Sequence, residues 1–167
     1  MPDEARDLEL SNMLASALKA RGWTCATAES CSAGLVGHII TMIAGSSDYY
    51  QGGVIAYSNR AKEELLGVRS ETLSAVGAVS PETAGEMASG ARRALHADVG
   101  IATTGIAGPG GATDRKPVGL IYVAVALPAG ETVRELRLDG DRLENIVQSA
   151  VQALQLAIDE ISANDDM

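Results

Sequence analysis

Thr24-Cys-Ala-Thr-Ala-Glu-Ser-Cys-Ser-Ala-Gly34 begins as a short β-type run and ends in small polar residues, and the amphipathic segment Leu35 to Ala44 follows it directly. A strand, a tight turn and a helix from about Ala33 to Ala44 are expected in succession, with Ser30 and Cys31 at the junction. In open α/β sheets ligands bind at the carboxyl ends of strands, so this junction falls where chemistry is usually done. A helix starting there also aims free backbone N–H groups at whatever the Ser30 hydroxyl attacks. The plainer alternative is that Ser30 or Ser32 simply caps the helix, a very common role for serine.

Upstream of this junction, Leu10, Met13, Leu14, Ala17 and Leu18 follow the spacing of one buried stripe, which places an opening helix over residues 3–21 that Gly22 ends. Downstream, Gly52-Gly53 suggests a bulge or a close backbone approach before a strand at Val54 to Tyr57. Ser58-Asn59 then caps a helix that runs to Leu66 and stops at Gly67. Ser80-Pro81-Glu82 starts another helix, reaching about Leu95. Asp98 to Thr103 reads as a buried strand, Leu120 to Leu127 as a second, and Thr132 to Leu138 as its antiparallel partner. Asp141 and Glu144 form a capping-box pair opening a last helix with an apolar face from Leu143 to Ile158, and the acidic tail from Asn164 is expected to fray. The order α-β-α-β-α-α-β-β-β-α, with no repeat and no linker, predicts an α/β fold: one domain over residues 1–167, a three-layer α/β/α sandwich with a mixed sheet of about five strands.

Composition narrows what such a domain does. With 46% hydrophobic and 21% charged residues, the 167-residue chain has the make-up of an ordinary globular protein with a real core. No apolar run approaches a membrane span and the start, Met-Pro-Asp-Glu-Ala-Arg-Asp, is not a signal peptide, so a cytoplasmic location with no membrane partner is expected. Both cysteines, Cys25 and Cys31, are then expected reduced. A net charge of −9 disfavours nucleic acid as a partner, and the absence of Phe beside one Trp removes the usual base-stacking platform. Two His and two Cys are too few for a dedicated zinc site, so no metal is expected. An acidic chain with small hydrophobic helices is compatible with a homodimer.

Several residues carry chemistry by type and position. Lys62 falls near the first turn of its helix, where the positive end of the helix dipole disfavours an ammonium, while Glu63 and Glu64 pull the other way. His38 lies within the helix after the junction, where a lone His is more often structural than basic. Thr104-Gly-Ile-Ala-Gly-Pro-Gly-Gly111 is a Gly-rich turn at a strand's carboxyl end; it has neither the P-loop nor the dinucleotide spacing, yet its N–H groups suit a phosphate or an oxyanion. Arg142 sits in the first turn of the last helix, where a cation gains nothing from the dipole, which points either to an anion nearby or to a surface ion pair.

Taken together, Ala28-Glu-Ser-Cys31, Tyr57-Ser-Asn59 followed by Lys62, Gly77-Ala-Val-Ser80, Thr104-Gly-Ile-Ala-Gly-Pro109 and Lys116-Pro-Val-Gly119 resemble, in order and spacing, the C-terminal domain of the competence/damage-inducible protein CinA. The resemblance covers roughly residues 5–162 and implies an α/β/α fold and a nicotinamide-nucleotide amidohydrolase, which converts nicotinamide mononucleotide to nicotinic acid mononucleotide and ammonia without a cofactor. It implies Ser30 as nucleophile, Lys62 as base and Tyr57 as an aid to proton movement. The small-molecule pyridine nucleotide would be met by Glu29, Cys31, Ser32, Asn59, Thr104, Gly105, Gly108 and Arg142, with the oxyanion at N–H groups near Cys31 and Ser32 or at Thr104-Gly105, and the phosphate at Arg142 and the Gly-rich loop. Two departures stand out: Ser32-Ala33-Gly34 replaces the Thr-Gly-Gly that the family often carries, and many relatives have an additional N-terminal domain. The alternatives are a non-catalytic module of the same fold that binds a nucleotide or a partner, and a thiol enzyme using Cys31, whose position beside a helix start would lower its pKa.

Overall fold

The computed structural model describes residues 2–163. The expected frayed tail from Asn164 lies outside the described residues. Five strands, β1 (Cys25–Glu29), β2 (Tyr50–Ile55), β3 (Val99–Gly105), β4 (Leu120–Leu127) and β5 (Gly130–Arg137), form one mixed sheet in the order β2-β1-β3-β4-β5. The first three strands are mutually parallel, and β4 and β5 continue antiparallel. Six helices flank it: α1 (Glu4–Arg21), α2 (Leu35–Ile40), α3 (Asn59–Leu66), α4 (Ser70–Val76), α5 (Pro81–Ala94) and α6 (Arg142–Ala163). Helices α1, α2 and α6 pack on one face, α3 and α5 on the other, so the three-layer α/β/α expectation holds.

Side-chain size along the strands explains why the layers form as they do. In β4, Ile121, Val123, Val125 and Leu127 point to the α1–α2–α6 layer, while Ala124 and Ala126 point to α5. Ala26, Ala28 and Ala102 repeat the small set on the same face. Alternation over a pleated strand thus makes one bulky face and one thin face. The thin face lets α5 lie close: a Cβ at Gly100 would collide with the Ala88 carbonyl, and one at Gly90 with the Leu66 carbonyl.

Local signals set most boundaries. Asp3 caps α1, and Gly22 ends it with φ at 65°. The Ser58 hydroxyl accepts from Ala61 N at 3.0 Å, the Ser80 hydroxyl from Thr83 N at 3.2 Å, and Asp141 and Glu144 exchange backbone–side-chain bonds at 2.9 and 2.8 Å. Four differences from the sequence reading matter. Helix α2 is only Leu35–Ile40, because residues 31–34 form a turn with Ala33 and Gly34 both at positive φ. Strand β2 starts at Tyr50 and contains Gly52-Gly53, with the bulge opposite Cys25/Ala26. The short helix α4, whose N-cap Arg69 makes no side-chain cap bond, gave no start signal. Finally, Met13 and Leu143, assigned to apolar stripes, are exposed, whereas Asn145 and Ser149 are buried in α6.

Candidate active site

Strand β1 has β2 on one side and β3 on the other; the β1–β2 connection runs over one face through α2, and the β2–β3 connection over the other through α3 to α5. Such a switch point opens a crevice at the strands' carboxyl ends. There the chain builds a cleft of about 310 Å³. Ser30 lines it just past β1, Thr104 and Gly105 at the end of β3, Tyr57 and Asn59 after β2, and Lys62 from α3. Arg142, Gly108 and Cys31 complete the part foreseen in the sequence, and Ala78 and Val79 form a wall that was not.

At its floor, Lys62 Nζ lies 3.0 Å from Ser30 Oγ, 2.9 Å from the Ala56 carbonyl and 3.3 Å from the Tyr57 carbonyl. Lys62 is only 1% exposed. Among the described residues no carboxylate is a hydrogen-bond partner of Lys62, and burial lowers its pKa from the ordinary 10.5, with Cys31 acting the other way. Glu63 and Glu64 are exposed, and Glu64 is paired with Arg60. The three partners match the three N–H donors of an ammonium; once the amine loses a proton, two carbonyls hold its remaining donors and its lone pair faces the Ser30 hydroxyl. Ser30 is bound to the Lys62 amine and does not cap a helix: the N-cap of α2 is Gly34, which makes no side-chain cap bond.

The free helix N–H groups expected to face the substrate are turned elsewhere. The Glu29 carboxylate accepts from Gly34 N at 3.1 Å, Val36 N at 2.8 Å, Gly37 N at 3.0 Å and the Ser32 hydroxyl at 2.6 Å. A carboxylate at the helix start is the expected occupant of an electropositive terminus. Ser32 also meets the Thr103 hydroxyl at 2.6 Å, so Glu29 and Ser32 brace the turn from behind and neither lines the cleft. His38 is likewise outside it.

The remaining donors come from β3 and the Gly-rich loop. Ile106 N donates to the Leu120 carbonyl at 2.9 Å, and Gly105 faces Ile121 in the ladder. By antiparallel alternation Gly105 then turns its N–H away from β4, toward the side where β1 has ended at Ser30. A side chain at Gly105 would collide with Ile121, so only glycine fits there. The Thr104 hydroxyl donates to the Ala78 carbonyl at 2.8 Å, which fixes the wall made by Ala78 and Val79. Arg142 bridges the mouth, donating to the Gly108 carbonyl at 2.7 Å and to the Tyr57 hydroxyl at 3.4 Å. Among the described residues it makes no ion pair. The exposed Tyr57 ring stands at the cleft entrance with Arg142 as its partner; what it offers Lys62 is its backbone carbonyl.

Both cysteines are unpaired thiols and buried. Burial pushes the Cys31 thiol up, against contacts with Ser149 and Thr103 that act the other way. That is opposite to the lowering a thiolate nucleophile needs. No group of His, Cys, Asp or Glu among the described residues is arranged to hold a metal ion, and no described helix is long and apolar enough to cross a membrane.

A profile of the CinA C-terminal domain matches residues 7–161. The chain belongs to this family. A CinA-like protein of Thermosynechococcus vestitus is 48% identical over 158 residues, which is 93% of this chain and 38% of that protein. A CinA-like protein of Chloroherpeton thalassium is 44% identical over 162 residues, 95% of this chain and 39% of that protein. The chain thus spans little more than a third of the length of these curated relatives. Among solved structures, competence/damage inducible protein CihA of Agrobacterium tumefaciens superposes with a TM-score of 0.88 at 39% identity, over 95% of this chain and 96% of that one. A CinA superfamily protein of Klebsiella pneumoniae gives 0.90 at 33% identity, over 94% and 98%.

Three features of this CinA domain escaped the sequence. The Ala56 carbonyl has no side-chain signature. The buried Glu29 cap, which the resemblance implied as a substrate contact, has its partners in the turn and helix start behind Ser30. Asn145, 1% exposed, hid inside the apolar stripe of α6, and its only signal was an amide at a position where the stripe calls for a hydrophobic residue.

Proposed function

We propose that this CinA domain is a serine amidohydrolase that converts nicotinamide mononucleotide to nicotinic acid mononucleotide and ammonia. The observation that carries the reading is the buried Lys62 amine 3.0 Å from Ser30 Oγ, with two carbonyls occupying its other hydrogen-bond positions. Ser–Lys pairs follow the same logic as Ser–His–Asp, with one group acting first as base and then as acid. Lys62 takes the Ser30 proton as Oγ attacks the carboxamide carbon. The Gly105 N–H is placed to meet the oxygen that becomes negative, supporting the tetrahedral intermediate. Collapse breaks the C–N bond, Lys62 returns the proton to the leaving nitrogen, and ammonia departs. Water, deprotonated by the same amine, then hydrolyses the acyl ester on Ser30 and frees the carboxylate.

The substrate phosphate is assigned to Arg142 and the Gly108–Gly111 segment, which line the same cleft as Ser30 and Lys62. Tyr57 at the entrance is assigned to the ribosyl or pyridine portion and not to a proton relay, because its hydroxyl pairs with Arg142. The test is ammonia release from nicotinamide mononucleotide by the purified protein beside Ser30→Ala. Turnover that the variant loses by at least ~10³-fold while still binding the nucleotide is the expected result. Nucleotide binding without turnover in the wild type would replace this reading with a non-catalytic nucleotide-binding module.

A further inference from the structure

The first turn of α6 grips the Gly-rich loop at two consecutive carbonyls. Arg142 holds the Gly108 carbonyl at 2.7 Å, and the buried amide of Asn145 donates to the Ala107 carbonyl at 3.1 Å and to the Gly140 carbonyl at 3.0 Å. A trans peptide points its N–H opposite to its C=O. With the Ala107 carbonyl turned toward the buried Asn145 amide, the N–H of Gly108 points the opposite way, away from Asn145, and both residues of this peptide line the cleft. Gly108 sits at φ +87°, and a Cβ there would meet Val118, so the loop takes this course only with glycine. The loop's base is pinned separately, by Ile106 N to the Leu120 carbonyl and by Gly119 N to the Ile106 carbonyl. Asn145 thus acts on the cleft-facing peptide and not on the loop's closure. Its own Oδ1 is buried without a partner among the described residues, a cost set against the two carbonyls that its amide satisfies.

We infer that Asn145 is a positioning residue for phosphate recognition: it fixes the Ala107–Gly108 peptide so that the Gly108 N–H converges with the Arg142 guanidinium on the substrate's phosphate. The inference rests on the proposed substrate and deepens it. Its chemical content is a preference for the phosphorylated nucleotide over the nucleoside that Asn145 sets without touching either.

The experiment compares nicotinamide mononucleotide with nicotinamide riboside as substrates for wild type, Asn145→Ala, the isosteric Asn145→Asp and Arg142→Ala, with calorimetric binding of both compounds in parallel and melting curves for folding. Expected is a roughly 10- to 100-fold fall in kcat/KM for the mononucleotide in the Asn145 variants, carried by KM, with the riboside changed less than threefold. Asn145→Ala added to Arg142→Ala should cost much less than it does alone, because the two groups serve one anion. Equal losses on both substrates, or an unchanged preference in a folded variant, would overturn the inference. Asn145→Asp keeps the volume and removes the donors, so it decides the matter should Asn145→Ala fail to fold. If wild type binds the mononucleotide better than the riboside but turns over neither, the amidohydrolase reading falls while the binding arm still decides on Asn145. If wild type shows no preference for the phosphorylated compound, the role of Asn145 falls whatever the turnover.

Discussion

Replacing Lys62 by methionine separates its catalytic role from its structural cost. Methionine keeps most of the side-chain volume and removes the amine. A positioned general base contributes ~10²–10⁴ in rate, so kcat for the mononucleotide should fall by that factor, ~3–5 kcal/mol of barrier. Stability moves for two opposed reasons. The Ala56 and Tyr57 carbonyls each lose a donor, and a carbonyl left dry and unpaired costs ~1–3 kcal/mol, independently of pH. Against this, burial holds the folded-state pKa of Lys62 below the ordinary 10.5, and each unit of that depression costs the wild type ~1.4 kcal/mol at pH values below the folded pKa. The sign is definite. Between the folded and the unfolded pKa the unfolded chain binds more protons, so wild-type stability rises with pH across that interval and is lowest beneath it. Lys62→Met lacks the group and lacks the rise. Urea denaturation of both proteins from pH 7 to pH 10 should therefore show the wild type gaining on the variant as pH increases. The wild-type rate should climb over the same interval as the amine loses its proton. A stability difference that stays flat with pH would refute the depressed lysine, and a variant within tenfold of wild-type activity would refute the base.

Arg142→Ala removes a charged donor from the assigned phosphate end, and a charged hydrogen bond worth ~1.5–3 kcal/mol predicts KM for the mononucleotide rising ~10- to 100-fold with kcat nearly unchanged, read by steady-state kinetics. Ala33 is exposed with φ at 48°, and left-handed backbone costs a non-glycine residue ~1–2 kcal/mol, part of which glycine returns as entropy, so Ala33→Gly should raise stability by ~0.5–1 kcal/mol in urea titrations. Gly90 lies mid-helix in α5, where propensity alone favours alanine by ~1 kcal/mol, but the new Cβ would meet the Leu66 carbonyl, so Gly90→Ala should lower the melting temperature through overpacking of ~1–3 kcal/mol or more. An unchanged or higher melting temperature would show that α3 and α5 have room to separate.

Much of this CinA domain was legible along the chain because its determinants are local. Caps at Ser58, Ser80 and Asp141, glycine stops at Gly22 and Gly67, and the run Leu120 to Leu127 act over a few residues, so the helices and strands they bound follow from sequence spacing. Ser30 and Lys62, 32 positions apart, were nominated by the family resemblance that the motifs carry, where the residues alone left a capping serine and a solvated lysine open. What spacing along the chain does not encode is direction in space. Only the tertiary structure showed that the α2 N–H groups serve Glu29, that Thr104-Gly105 complete β3 and turn a donor toward Ser30, and that Tyr57 gives Lys62 its carbonyl and keeps its hydroxyl for Arg142. The same holds for Asn145, whose partner Ala107 is 38 residues away. A lysine becomes a candidate base only when folding removes water from it and leaves it facing two carbonyls and a hydroxyl; desolvation is a property of the packed molecule, and no residue type carries it alone.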